Sequence, residues 1–420
     1  MPQHQNWAGN YTYQASKLYI PDTLEQVQET VASSPRIKVL GTRHSFNGIA
    51  DSVGTHISLE KLDRVIELDR ENRTVTVEGG IRYGDLCRYL DQQGYALHNL
   101  ASLPHITVAG ACASATHGSG VNNANLAAAV HSMEIVVADG SIMRFNRETE
   151  GSVNAAAVGI GALGIVTKIT LDVIPAFEMS QTVYEDLPLA HVKDDFDNIA
   201  SAAYSVSLFT DWKASTFNQV WLKHRLSDRT ADGLGNEFYG SVRAASKVHP
   251  VPGYSADNCS EQMDIPGPWF ERLPHFRMEF TPSAGEELHS EYFVPRHHAY
   301  EALSAIDQLR EHISPLLYIS EVRTIAKDEL WMSPCYRQDS VAIHFTWKPD
   351  WIAVQKVLPM IEECLTPFEA RPHWAKLFTM PPSRVRSLYE RLPDFRELVR
   401  RCDPEGKFSN VFLNKYVTTN

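Results

Sequence analysis

The stretch NLASLPHITVAGACASATHGSG, Asn99 to Gly120, restricts the possible fold more than any other part of this 420-residue chain. Glycine, alanine, serine and threonine are packed there so densely that neither a helix nor a strand gains much from side chains. Small residues at this density let a backbone come close to something flat or bulky. A tightly packed loop beneath a helix is the other use for them. A second such segment is LGTRHSFNGIAD, where Gly41 follows the strand-like RIKVL and precedes Thr42, Arg43 and Ser45. Backbone N–H groups of a turn like this, with two hydroxyls and a guanidinium, can hold a pyrophosphate. The turn is neither a Walker A loop nor a GxGxxG fingerprint, and an ordinary surface turn would look much the same. AAAVGIGALGIVTKI is a third segment of this kind. Three in one region point to a ligand the size of a dinucleotide.

The surrounding pattern mixes short strands with a few helices. Asp22 and Thr23 can cap a helix with Leu24, Val27 and Val31 on one face. DRVIELDRENRTVTVEGG predicts two strands about a polar turn, and YGDLCRYLDQQG a helix ending at Gly94. HSMEIVVADGSIMRF predicts a hairpin turning at Asp139-Gly140, and GIVTKITLDVIP alternates as a strand that stops at Pro175. Strict βαβ alternation is missing, so the region is α+β. Beyond Pro175 helical stretches such as LAHVKDDFDNIASAAYS and HHAYEALSAIDQLREHI alternate with strands such as SVAIHFTWKPD. Loops rich in Pro and Gly appear around HPVPGYSADN and DIPGPWFERLP. The change of texture divides the chain into a first domain, 1–178, and a second beginning at 179.

Composition limits the function classes. Acidic residues outnumber basic ones, 51 to 39, for a formal charge of −12. That balance argues against nucleic acid or an anionic membrane as the main partner. The N-terminus has no basic start followed by an apolar core, and the glycine-rich run Ala155–Val166 is too short to span a bilayer. Six scattered cysteines without a CxxC pair fit neither a disulfide framework nor a structural zinc site. A cytoplasmic protein is expected, and the lack of heptads makes a monomer the default.

Two further patterns carry chemistry. YISEVRTIA puts Glu321 and Arg323 two residues apart on a predicted strand, hence on one face, and VAIHFTW does the same with His344 and Thr346. Together they would make a polar wall suited to a ligand rich in hydroxyls. Taken alone, a Glu-x-Arg pair is more often a solvated or cross-strand ion pair, and a lone strand histidine is more often structural. His289, His297 and His298 in the same region raise the idea of a metal, but no HExxH or His-x-His spacing supports one.

The segments GTRHSF, NLASLPHITVAGACASATHGSG and GALGIVTKITLDV resemble the FAD-binding domain of the vanillyl-alcohol oxidase superfamily. EVR (321–323), HFT (344–346), HWAK (373–376) and DPEGKFSNVFL (403–413) resemble its branch of sugar-lactone and alditol oxidases, with the alditol oxidases the nearest. The likeness runs almost end to end. It implies a two-domain vanillyl-alcohol oxidase-like α+β fold: two α+β subdomains that bind FAD, and a substrate domain (179–371) with an antiparallel sheet flanked by helices. A C-terminal segment, 372–420, would return to the FAD-binding domain.

The resemblance also implies a site. His44 would carry FAD covalently, which generally raises a flavin's reduction potential. Val39, Leu40, Gly41, Thr42, Arg43 and Ser45 would wrap the pyrophosphate. Ser102, Thr107, Gly110, Ser114, Ala115, Thr116, His117 and Ile165 would line the cofactor, with His373 reaching it from the C-terminal segment. Ser102, Glu321, Arg323, Thr346 and Lys376 would contact a polyol. Lys376 and Arg323 would stabilise the hydroxyl oxygen as its proton leaves, and His344 would relay that proton from a pKa near neutrality. Dioxygen would take up the electrons and leave as hydrogen peroxide, and Ala101 matches a position that influences oxygen access. An aldonolactone oxidase or dehydrogenase of the same superfamily is the rival reading. A flavin-holding protein without turnover and a metal-dependent hydrolase are more distant ones.

Overall fold

The computed structural model describes residues 4–147, 152–228, 235–280 and 287–418; the first three residues of the N-terminal reading lie outside them. The chain begins with a small parallel sheet, in which Thr55–Ile57 lies between Lys17–Tyr19 and Ile37–Val39. A helix, Leu24–Ser33, joins the two outer strands, and the Thr23 side chain accepts from the Gln26 N–H at its start. Val27 and Val31 are fully buried against Ile37, Ile57, Val136 and Ile165. A five-stranded antiparallel sheet follows, ordered Val65–Asp69, Thr74–Glu78, Ile165–Asp172, Val130–Val136, Ile142–Asn146. The expected hairpin turns at Gly140, whose φ of +87° needs no Cβ.

The second layer is a ten-stranded antiparallel sheet running from Glu237–Phe238 at one edge to Arg371–Pro372 at the other. At its centre the order is Thr216–Arg225, Ser205–Thr210, Leu317–Ile325, Ser340–Trp347, Leu288–Pro295. Helices Leu189–Ala200, Ala299–Asp307 and Trp351–Cys364 pack against one another beside it. Mixed helices with mainly antiparallel sheets give the α+β class expected.

Two local expectations need correction. HHAYEALSAIDQLREHI is two helices, Ala299–Asp307 and Arg310–Ile313, and at the break the Arg310 Nε–H donates to the Asp307 carbonyl at 3.1 Å. The small-residue stretch does hold a helix, Val108–Ala113, whose alanines suit it even though little side-chain surface is buried.

Candidate active site

A cavity of about 1110 Å³ lies between the small-residue segments and the large sheet. That exceeds the usual few hundred to one thousand Å³ of a single small-ligand pocket. It has room for a dinucleotide and a small substrate together. The run Val39–Ser45 lines it, as do Ser102, Thr107, Gly110, Ser114, Thr116, His117 and His373. Ala101 lines it too. Ala115 and Ile165 do not. Both are buried in the protein core, and Gly164 and Val166, the neighbours of Ile165, face the cavity instead. The strand from Ile165 alternates buried and half-buried residues, so Ile165 necessarily points the opposite way from Val166.

Thr107 explains two of the glycines. A Cβ on Gly41 would stand 2.8 Å from the Thr107 hydroxyl, and one on Gly110 would stand 2.7 Å from it. The two loops can close around that hydroxyl only with hydrogen in both places. Arg43 and Ala115 take left-handed backbone angles, φ +64° and +56°. Such angles cost about 1 kcal/mol for a non-glycine residue. For Arg43 the conformation is held by the Trp7 N–H, which donates to its carbonyl at 2.8 Å.

His44 sits on that turn. Its ring stacks on Trp7 with centroids 5.1 Å apart, Nδ1 lies 3.0 Å from the Thr42 hydroxyl, and the buried Nε2 has no hydrogen-bond partner among the described residues. Burial pushes its pKa down to about 4, helped by His105, so the imidazole is neutral. A neutral, unpartnered ring nitrogen inside a cavity of this size, beside a glycine-opened loop, fits a flavin dinucleotide.

The opposite wall is the face of the large sheet carrying the predicted pairs. Glu321 and Arg323 lie on Leu317–Ile325, and His344 and Thr346 on Ser340–Trp347; all four line the cavity. Strand register sets Glu321 opposite His344, and His344 opposite Glu291 on Leu288–Pro295. Glu291 had not been anticipated. Its carboxylate is completely buried and accepts from Lys376 Nζ at 2.6 Å and Arg323 Nη2 at 2.7 Å, with His117 Nε2 at 3.3 Å. Burial alone would raise its pKa, but Lys376, His117 and Arg323 outweigh this and hold it well below the usual carboxylate range. Glu321 is held low in the same manner, burial being outweighed by Arg323 and His275.

His344 departs from expectation in one respect. Burial, then the charge on Lys376, then His289 drive its pKa well below that of a free imidazole. It is therefore firmly neutral, and its buried Nε2 is unpartnered among the described residues.

Lys376 arrives on a turn, His373–Lys376, stapled to the loop that carries His44. The Asn47 side chain donates to the carbonyls of Trp374 and Lys376 at 2.9 and 2.7 Å, and the Phe46 N–H donates to Ala375 at 2.7 Å. His373 donates its N–H to the Glu291 carbonyl at 3.0 Å, and its ring stacks on Phe293. His289 and Glu291 share a strand face, so period-two reading of LHSEYFVP could have found the second alongside the first. His275 and Lys223, also missed, carry no periodic signal linking them to the site. Among the described residues no group of three or more His, Cys, Asp or Glu is placed to hold a metal ion, and the six cysteines are unpaired. No helix among them is long and apolar enough to cross a membrane.

Comparison with known proteins agrees with this architecture. A family described as "FAD binding domain" matches residues 15–146, and one described as "D-arabinono-1,4-lactone oxidase" matches residues 285–416. The chain is 49% identical to an alditol oxidase from Streptomyces sp. over 411 residues, 97% of each chain. It is 26% identical to an L-gulonolactone oxidase from Mus musculus over 98% of each. A solvent-stable cholesterol oxidase shares the fold at a TM-score of 0.79 and 13% identity, covering 98% of this chain and 96% of that one. The chain belongs to the alditol oxidase family, within the vanillyl-alcohol oxidase superfamily of FAD-binding proteins.

Proposed function

We propose that the protein is an FAD-dependent oxidase that converts the terminal primary hydroxyl of an open-chain alditol, such as xylitol or sorbitol, to the aldehyde. The observation that carries this reading is the Glu291-anchored pair of cations, Lys376 and Arg323, beside the unpartnered His344 Nε2 in the cavity shared with His44. FAD, when bound, supplies the hydride acceptor, and its electrons pass to dioxygen to give hydrogen peroxide. The cradle of Val39–Ser45, Thr107, Gly110 and the Ser114–His117 turn would hold that cofactor.

The chain's own residues do the rest. Lys376 and Arg323 concentrate positive charge where the hydroxyl oxygen becomes anionic. His344 Nε2, kept neutral by burial and the charge on Lys376, is a weak base that accepts the hydroxyl's hydrogen bond and takes its proton only as the hydride leaves. Glu321 has one oxygen engaged by His275 and turns the other to a polyol hydroxyl, while Ser102 and Thr346 orient the chain of carbons. Residues 1–178 form the cofactor domain, 179–371 the substrate domain, and 372–420 bring Lys376 and His373 back to the flavin. A cytoplasmic monomer acting on small molecules, with no nucleic acid or membrane partner, suits the acidic balance and the unpaired cysteines.

Mixing the purified protein aerobically with xylitol should release peroxide much faster than mixing it with L-gulonolactone. The lactone is the paired control because a lactone oxidase family matches residues 285–416. Peroxide from the lactone alone would move the protein to that branch and make Glu321 and Thr346 contacts to a ring diol.

The covalent bond has its own test. His44 presents a neutral imidazole with a partnerless nitrogen to the cavity, which favours attachment there. Acid denaturation of the holoenzyme should leave the yellow flavin in the protein pellet, and His44→Ala should release it to the supernatant. Free flavin from the wild-type protein would refute the bond.

A further inference from the structure

Next to Glu321 runs a row of buried polar groups that the reaction described above does not use. Lys223, on Thr216–Arg225, is 1% exposed, and among the described residues no carboxylate pairs with it. Its Nζ donates to the carbonyls of Leu273 at 2.5 Å and Pro274 at 3.1 Å, and lies 3.1 Å from His275 Nδ1. His275 Nε2 in turn lies 2.7 Å from Glu321 Oε1. Trp221 and Phe209 hold the imidazole edge-on at 5.2 and 5.6 Å. The same loop grips a second expected polyol contact, since the N–H groups of His275 and Phe276 both donate to the Ser102 carbonyl, at 3.1 and 3.3 Å.

Burying an ammonium costs several kcal/mol, so packing alone would favour Met or Leu at position 223. The donor count gives a better reason for lysine. An ammonium has three protons to donate, and two go to carbonyls that can only accept. The third is directed at His275 Nδ1, which can receive it only as a lone pair. A neutral ring whose Nδ1 bears a lone pair carries its proton on Nε2, the nitrogen facing the Glu321 carboxylate. Both ends of the row thus require the same tautomer.

We propose that Lys223 is a positioning residue for substrate: through the tautomer of His275 it locks Glu321 into the orientation that accepts a polyol hydroxyl. The inference rests on the reading of Glu321 as a polyol contact, but its first step can be measured without substrate. Burial pulls His275 to about 4 and Lys223 to about 7, with Glu321 opposing the shift in each. At about pH 6 the lysine therefore keeps its three donors while the imidazole stays neutral.

Two measurements on the holoenzyme at that pH test the idea. In two-bond ¹H–¹⁵N spectra, with His275 assigned by its loss in His275→Gln, the ring should show the Nε2–H tautomer. An Nδ1–H tautomer in the wild-type protein would overturn the proposal whatever the variants do. Kinetically, Lys223→Met should raise the xylitol KM about tenfold, the usual scale for a lost charge-assisted hydrogen bond, with kcat changed far less. Glu321→Gln should raise KM as well, and the double variant should be no worse than Glu321→Gln alone. Lys223→Gln serves if the methionine variant does not fold. Independent, additive effects on KM would overturn the relay and leave Glu321 a substrate contact. A normal KM in Glu321→Gln would instead overturn the reading of Glu321, and the kinetic role of Lys223 with it.

Discussion

Replacing Lys376 by Met should slow anaerobic flavin reduction by xylitol about 10²–10³-fold, the scale of losing one donor to a developing oxyanion. The ammonium is held 2.6 Å from Glu291 on the cavity wall, so it needs little reorganisation to meet charge on the hydroxyl oxygen. Ground-state polyol carries little charge there. The loss should therefore fall on the limiting rate of reduction rather than on KM. The yellow cofactor should stay, because the loops of Gly41, Thr107 and Gly110 make its cradle without the lysine. The fold should tolerate the change, since Glu291 retains Arg323 at 2.7 Å and His117 at 3.3 Å. Stopped-flow bleaching of the flavin absorbance reads the rate directly. Reduction within a few-fold of wild type would remove Lys376 from the chemistry, and a raised KM at an unchanged limiting rate would make it a binding residue only.

Most of the cofactor side could be read from local sequence, because the constraint there is local. A Cβ at position 41 or 110 would crowd the Thr107 hydroxyl at 2.8 or 2.7 Å, which favours glycine at both, and the small-residue clusters around Gly41 and Gly110 announce that. Ile165 turns its side chain to the core for an equally local reason: a strand turns alternate residues to opposite faces, and Val166 takes the cavity side. On the substrate side, period-two spacing located Glu321, Arg323, His344 and Thr346. It could not supply the register that lines up Glu291, His344 and Glu321 across three strands. Register is decided by packing between separate segments: Glu321 meets His344 at a sequence separation of 23 and Glu291 meets His344 at 53. Lys223 and His275 were further out of reach, one on a distant strand and the other in a loop without periodicity, 52 residues apart.

Glu291→Gln should damage both the stability and the chemistry of the protein. The carboxylate is fully buried and is the common anchor of Lys376 and Arg323. Glutamine keeps the shape and one acceptor but leaves two cations facing each other with a neutral group between them. Removing one partner from a buried ion pair costs about 3–5 kcal/mol, so denaturant unfolding should register a loss of that order. The chemistry should suffer as well, and in a direction the charges fix. Burial already lowers the Lys376 pKa, and Glu291 is the principal group opposing that shift. Without its charge the lysine gives up its proton at lower pH, so the alkaline limb of the rate of flavin reduction should move to lower pH. Glu291→Asp, which keeps the charge on a shorter arm, should restore the position of that limb more fully than it restores the rate. An unfolding free energy and pH profile like those of the wild type in Glu291→Gln would mean that the two cations hold their places without a shared anchor, and that the ion cluster does not organise the site.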